Sequence, residues 1–424
     1  MEKLEVRNFL TIHDAAIEAR RFTILIGPQA SGKSIVAKLF FFFRDFLNNR
    51  FSESIRNLAT KRDLTRTATA AFEEIFPKYA WSNQSFTIVY TKDDFTISLK
   101  RTKTRSSPRL DYSSNLEDLH DSIKSKFQTK LTSLEGPSKR FDKYQAFWQV
   151  RHEFMENDEL GGLFRPAMFI PASRSFFANL QKNVFSFLAN NLTIDPLIKQ
   201  FGSIYEGSKD SWDRTFTSRS DQRREGTLRD LKQSVSRILQ GEYLNEEDQD
   251  WIVSGKRKVN LANASSGQQE ALPMLLVLYA WASYASMGDF KGTFFVEEPE
   301  AHLFPTSQKH LVYLFSTLYD QFGHDFLLTT HSPYVLTALN NLIMASTVIA
   351  ERGKPIIPKV AEIIPGGRPI QFNDVCAYAV NEGALTTIAS VDTNLIGTNV
   401  IDAVSDEFER VFDRLLSLRY TEDQ

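Results

Sequence analysis

The chain is 424 residues long, 42% hydrophobic and 24% charged, a globular composition that excludes wholesale disorder and allows two or three domains, or one large domain with an insertion. A formal net charge of -2 supplies no global basic field for nucleic acid, and the single cysteine, Cys376, excludes an internal disulfide and fits a reducing compartment. Met1 runs straight into Lys3, Glu5 and Arg7 with no apolar segment, so no secretory leader is expected and the protein is expected in the cytoplasm.

The first residues read as short strands: Leu4, Val6 and Asn8-Phe9 alternate, Ala15 to Glu18 follow, and Phe22 to Ile26 is a continuous apolar run suited to a strand buried on both faces. That run ends at Gly27, and a helix is expected from Gly32 to about Asn48. Ser85 to Tyr90 and Phe95 to Lys100 predict a hairpin turning at Asp93-Asp94. Asn115 to Leu134 and Phe141 to Glu156 predict helices, and Ala167 to Pro171 a further strand. Residues 176 to 255 read as mixed helix and polar loop, without a heptad pattern long enough for a coiled-coil arm. Beyond residue 261 a polar loop opens a long apolar helix. Gly292 to Val296 and Asp325 to Thr330 are buried strands, and the tail from Ile349 holds short strands and a helix over Val404 to Leu418. Leu39 to Phe43 and Leu272 to Met287 are too short to span a membrane and read as buried helices. Strands separated by helices predict an α/β fold with a largely parallel sheet.

Four stretches carry chemistry. Gly27-Pro28-Gln29-Ala30-Ser31-Gly32-Lys33-Ser34 has the full Walker A spacing between an apolar strand and a helix. Glycines let the backbone N–H groups wrap phosphate, and the helix N-terminus faces the same anion. Lys33 is then placed for the β- and γ-phosphates of ATP and Ser34 for Mg2+. The strand at Thr293 to Val296 delivers Glu297 and Glu298, a Walker B arrangement in which the first carboxylate serves the metal and the second polarises the attacking water. Glutamate at 297 departs from the commoner aspartate but keeps the charge. Asn263 to Gln269, containing Ser265 and Gly267, is a serine-glycine loop placed to cap the following helix. His331 follows the Asp325 to Thr330 strand, at the edge where ligands sit in open α/β sheets and where an imidazole can meet a γ-phosphate.

The order Walker A, signature loop, Walker B, histidine resembles the ABC-type ATPase head of SMC, RecF and OLD-family proteins. It is most similar to the AAA-family ATPases of prokaryotic phage-defence operons. Asn8-Phe9, Ile170-Pro-Ala-Ser-Arg174, Ser265-Ser-Gly-Gln-Gln-Glu270, Glu298-Pro-Glu-Ala-His-Leu303 and Thr330-His-Ser-Pro333 carry the likeness, which leaves roughly residues 50 to 250 uncovered. The resemblance implies a mixed-sheet P-loop head with a helical inserted lobe, divided as residues 1–175, 176–257 and 258–424. It implies ATP and Mg2+ as cofactors, Lys33, Glu298 and His331 as catalytic, and Ser34 and Glu297 on the metal. Ser265 and Gly267 would act in trans across a homodimer or higher homo-oligomer. The family's glutamine loop is not evident; Arg174 occupies a comparable place in the chain. The signature departs from Leu-Ser-Gly-Gly-Gln at Ala264 and Ser266.

The resemblance implies a regulatory ATPase working with a separate effector, a nuclease or toxin, as in defence ATPases of the PARIS and Septu kind. Only about ninety residues follow His331 and they hold no Asp-x-Asp cluster, so no Toprim-type nuclease activity is expected in the chain itself. A second reading is a DNA-binding repair ATPase of the RecF or SMC kind. It rests on Lys100, Arg101, Lys103, Arg105 and Arg109, with Arg219, Arg223 and Arg224. A transporter nucleotide-binding subunit is a third; the degenerate signature argues against it, and no membrane association is expected.

Overall fold

The computed structural model of the chain describes residues 1–132, 139–155, 160, 162–178, 194–213, 222–287, 290–397 and 410–414. The alternation of Leu4, Val6 and Phe9 with exposed neighbours produces β1 (Glu2–Phe9), which pairs antiparallel with β2 (Ile12–Ala19). The unbroken apolar run forms β3 (Phe22–Ile26), buried at every position. The hairpin predicted around Asp93-Asp94 is β4 (Phe86–Lys92) and β5 (Phe95–Arg101), and β6 (Arg109–Tyr112) extends it. Farther on come β7 (Ala167–Ile170), β8 (Glu242–Glu246), β9 (Gln249–Ser254), β10 (Arg257–Asn260), β11 (Thr293–Glu297), β12 (Asp325–Thr330), β13 (Val375–Asn381) and β14 (Ala384–Thr387).

One sheet gathers eleven of these strands in the order β6-β5-β4-β1-β2-β14-β13-β3-β12-β11-β7. The run from β13 to β7 is parallel, and the run from β6 to β2 is antiparallel. The sheet is therefore mixed, as the resemblance implies, rather than largely parallel as the strand–helix alternation alone suggests. The antiparallel half is built from alternating strands, each with one face outside the core, so no single stretch names its pairing partners. β3, from the N-terminal segment, lies between β13 and β12 from the C-terminal one, so the two ends of the sequence complete one sheet.

Strand alternation sorts the core onto two faces. Phe294, Val296, Phe326 and Leu328 point to one face and Phe295, Leu327 and Leu25 to the other. Against the first pack α9 (Ser266–Met287), α10 (Pro305–Phe322) and α11 (Pro333–Arg352), among other helices. The second face meets α1 (Lys33–Asp45), where Phe40, Phe41, Phe42 and Phe43 are all buried. Four successive buried phenylalanines need covering on every side of the helix. The sheet covers one side; α3 (Lys61–Ile75) supplies Phe72, which meets Phe42 edge-on.

The helix predicted to Asn48 runs further. α1 passes through a π turn at Phe46–Arg50 into α2 (Phe51–Arg56). After the short α4 (Lys78–Trp81), α5 (Ser114–Thr132) and α6 (Lys139–Met155) form the helical lobe, with α5 against α2. Between residues 194 and 260 lie α7 (Pro196–Trp212), α8 (Gln222–Leu239) and a three-stranded antiparallel meander, β8 to β10. The meander replaces part of the expected polar loop. It is anchored from within: the buried Asp250 accepts hydrogen bonds from Tyr205 and Tyr243 at 2.6 and 2.7 Å and pairs with Lys209 at 3.1 Å. The tail helix expected over Val404 to Leu418 lies outside the described residues except for helical 410–414. One described helix, α11, is long and apolar enough to cross a membrane; here it buries Val335, Leu336, Leu339, Leu342 and Ile343 in the core.

Candidate nucleotide site

The candidate residues lie at the C-terminal ends of three adjacent parallel strands, β3, β12 and β11. At the end of β3 the chain turns through Gly27 to Gly32 before α1 begins at Lys33. Gly32 has φ of 109°, a conformation that side chains disfavour, and a Cβ there would run into Ile12. Pro28, Gln29 and Ala30 form the exposed tip of the loop, Ser31, Gly32 and Lys33 are buried, and Ser34 is exposed on the first turn of α1. The Lys33 ammonium donates to the carbonyls of Gly27 and Pro28 at 2.8 and 2.7 Å, closing the loop around itself. Burial lowers its pKa, against the nearby carboxylates of Glu298 and Glu300, which raise it.

Glu297 ends β11 with only 6% of its surface exposed. One carboxylate oxygen accepts from the Ala172 N–H at 3.3 Å, the Ser34 hydroxyl lies beside the group, and Oε1 is buried without a partner. Burial pushes its pKa above the ordinary carboxylate value. A buried carboxylate oxygen with an unused lone pair beside a serine hydroxyl is the donor set of a hard divalent cation. These two groups fit Mg2+, and the Glu297 departure from aspartate does not disturb that pairing. The buried Ser31 hydroxyl also lacks a partner, as suits a group facing a phosphate.

The backbone turns at Glu298 with φ of 42°, a strained value for a non-glycine residue. Its N–H is held by the Thr329 carbonyl at 3.0 Å, fixing the turn to the neighbouring strand. The partly exposed Glu298 carboxylate then meets His331, with Oε1 3.3 Å from Nε2. Glu300 holds the other side of the histidine loop: one oxygen accepts from the Thr330 hydroxyl at 2.6 Å and the His331 N–H at 2.8 Å.

Lys33, Ser34, Glu297, Glu298 and His331 are thus brought together by the parallel pairing of β3, β12 and β11. Ser265 and Gly267 are placed elsewhere. Ser265 caps α9, its hydroxyl paired with Gln268 at 3.1 Å, and stands exposed. Gly267 abuts the loop after Glu298, where an added Cβ would sit 2.6 Å from the His302 carbonyl.

Two residues that motif reading left without roles are structural hubs. Glu300 orients Thr330 and His331; its presence in the Glu298-to-Leu303 phrase was the only sequence signal. Arg174 is fully buried and donates to the carbonyls of Pro171, Glu270, Glu297 and Glu298 at 2.7 to 3.0 Å. It occupies the chain position comparable to a glutamine loop but points into the protein, where burial lowers its pKa.

The family model described as "AAA domain, putative AbiEii toxin, Type IV TA system" matches residues 22–337, from the start of β3 to the first turns of α11. The chain belongs to this family. The Walker A loop at the end of β3 and the paired carboxylates at the end of β11, with β12 between them, fit a P-loop ATPase of this family. No curated protein matches the chain. Among solved structures it is similar to the SMC head domain from Thermotoga maritima, at 12% identity over 91% of this chain and 97% of that one, with a TM-score of 0.36. It is also similar to the recombination mediator RecF of the RecFOR pathway, at 12% identity, 91% and 97% coverage and a TM-score of 0.30. The dimeric bacterial ABC transporter cassette MJ0796 matches at 11% identity, 91% and 96% coverage and a TM-score of 0.30.

Proposed function

We propose that the chain binds and hydrolyses Mg-ATP as an ABC-type dimer whose nucleotide state regulates a separate effector protein, a nuclease or toxin, in prokaryotic anti-phage defence. The head comprises residues 1–175 and 258–424, with 176–257 inserted. The reading is carried by one observation: the unpartnered Glu297 oxygen beside Ser34 stands next to the Glu298–His331 pair, all at the mouth of the Walker A loop.

Lys33 exchanges its contacts with the Gly27 and Pro28 carbonyls for the β- and γ-phosphates. Ser34 and Glu297 would hold Mg2+, which would supply charge neutralisation at the phosphates. Glu298, the partly exposed carboxylate, orients and deprotonates the attacking water, and His331 faces both that water and the γ-phosphate. The exposed Ser265 and the N-terminus of α9 close on the triphosphate of the second protomer. The family description, with its toxin and toxin–antitoxin terms, supports a defence role with an effector. The DNA reading draws less support, because Arg101 in its basic run is an internal residue, donating to the Ser82 carbonyl at 2.7 Å and also to that of Gln84.

The test is to purify Glu298→Gln with ATP, determine its mass in solution and identify what elutes with it. We expect a dimer with retained ATP. An ATP-loaded monomer would overturn the dimeric reading, and hydrolysis at the wild-type rate would overturn the role of Glu298.

A further inference from the structure

We propose that Arg174 is a positioning residue that couples the two ATP sites of the dimer, by tying the catalytic carboxylates of one site to the helix that serves the other. This rests on the ABC-type dimer proposed above.

The observation is a four-way clasp in which every guanidinium nitrogen donates to a backbone carbonyl. Arg174 Nε donates to the Glu270 carbonyl at 2.9 Å; Nη1 donates to the Pro171 and Glu297 carbonyls at 2.8 and 2.7 Å; Nη2 donates to the Glu298 carbonyl at 3.0 Å. Glu270 returns the grip through its side chain, accepting from the N–H groups of Arg174 and Ser175 at 2.8 and 3.1 Å. Both side chains are buried, at 0% and 5% exposure. The guanidinium therefore joins three segments: the end of β7, the end of β11 with both Walker B residues, and the first turns of α9.

Each segment alone has a plain structural reading; their combination does not. Glu270 lies three residues beyond Gly267 and five beyond Ser265 on α9. Gly267 in turn packs on the His302 carbonyl, in the loop that leaves Glu298. Two contacts, one through Arg174 and one through Gly267, connect the exposed tip of α9 with the backbone on either side of the catalytic carboxylates. In a dimer that tip belongs to the neighbour's triphosphate. A shift of α9 on closure is passed to the carbonyls of Glu297 and Glu298 through a rigid planar fork rather than a flexible ammonium. Glu298 already sits in a strained turn, with φ of 42°, so a small change in its backbone re-aims its carboxylate. Coupling of this kind is a free energy linking two sites through an element both of them bias.

The experiment compares the full-length wild type with Arg174→Met, Arg174→Lys and Glu270→Gln, using ATP itself as the probe. Nucleotide affinity, kcat and the Hill coefficient for hydrolysis are measured, with thermal melting as the check on folding. We expect ATP affinity within about twofold of wild type, since no Arg174 atom faces the loop at Gly27 to Ser34. We expect kcat to fall about tenfold or more, and the Hill coefficient to drop from above one to one. Lysine should restore stability more than cooperativity, because a point charge cannot span three diverging carbonyls. Should Arg174→Met fail to fold, Glu270→Gln, which keeps size and one acceptor, decides the matter through the same three readouts. A folded variant with wild-type kcat and Hill coefficient would overturn the coupling role, as would an equal loss of ATP affinity and kcat. A wild-type enzyme that hydrolyses ATP as a monomer would instead remove the dimer reading beneath it, and so separates the two failures.

Discussion

Glu298 Oε1 lies 3.3 Å from His331 Nε2, so the carboxylate just past β11 and the imidazole that follows β12 meet across two hydrogen-bonded parallel strands. Parallel register makes this contact: Glu297 pairs with Thr329, and each chain turns outward one or two residues later. Residues acting on one water should not be additive when removed. Glu298→Gln is expected to lower kcat by about a hundredfold or more, the range of a lost general base. His331→Ala should lower it less, and the double variant should be little slower than Glu298→Gln alone. Steady-state hydrolysis of the three variants checks this; losses that multiply would show the two groups acting separately.

Glu297 carries a function–stability conflict. Its carboxyl pKa is raised by burial, so the folded state holds its proton more tightly than the unfolded chain does. That contribution to stability is present below the unfolded pKa and is lost as pH rises through the higher folded value. At neutral pH without nucleotide, Glu297→Gln should therefore melt higher than wild type, and the difference should vanish in acid. The same variant should lose the Mg2+-dependent part of ATP binding. Melting curves from pH 4 to 8 and titrations with and without Mg2+ test both halves; a lower melting temperature at pH 7.5 would contradict the first.

His324 titrates in the opposite sense. It is fully buried, its Nδ1 accepts from the Gly292 N–H at 3.0 Å, and burial lowers its pKa to about 3. The unfolded histidine, with a pKa of about 6.5, takes up a proton that the folded one refuses. Stability from this group is complete above pH 6.5 and declines toward pH 3, at up to about 1.4 kcal/mol per pH unit. Compared with His324→Gln, which retains an acceptor for Gly292, the wild type should lose stability more steeply between pH 6 and 4. Parallel slopes in denaturant unfolding across that range would refute this.

Gly267 is expected to tolerate no side chain. An added Cβ would stand 2.6 Å from the backbone oxygen of His302, which cannot rotate away as a side chain could. Gly267→Ala should cost about 1–3 kcal/mol, the usual range for overpacking, and should lower kcat by displacing the loop after Glu298. Unchanged unfolding free energy and kcat would show that the α9 tip moves freely.

The exposed basic residues near β5 offer a direct check on nucleic acid. Lys103 and Arg105 are exposed, whereas Arg101 is buried over the Trp81 ring, 5.1 Å from its centroid. Arg101→Ala should destabilise the fold by about 1–3 kcal/mol, because it strands buried carbonyls. Lys103→Glu with Arg105→Glu should leave stability within about 0.5 kcal/mol. If that double variant abolishes salt-sensitive DNA binding shown by the wild type, the DNA reading regains its place.

The sequence by itself determined the chemistry and the strands that carry it. The loop at Gly27 to Ser34, the carboxylates at 297 and 298 and the histidine at 331 are each local strings, and each follows a continuous apolar run. Burial on both faces forces such a run to be almost wholly apolar, so β3, β11 and β12 announced themselves. Their being neighbours, which brings Lys33, Glu298 and His331 within reach of one another, was implied only by resemblance and decided by parallel pairing. Tertiary structure alone decided the rest. β1, β2 and the β4–β5 hairpin were legible as alternating strands, but their joining to the parallel strands in one sheet was not. The β8 to β10 meander lies in strands half open to solvent, whose pattern polar loops share. Arg174 stands at the place in the chain comparable to a glutamine loop; four carbonyls converging from three separate segments make it internal. Hydrogen bonding of that kind depends on distances in space between residues up to 124 positions apart, which no spacing along the chain encodes.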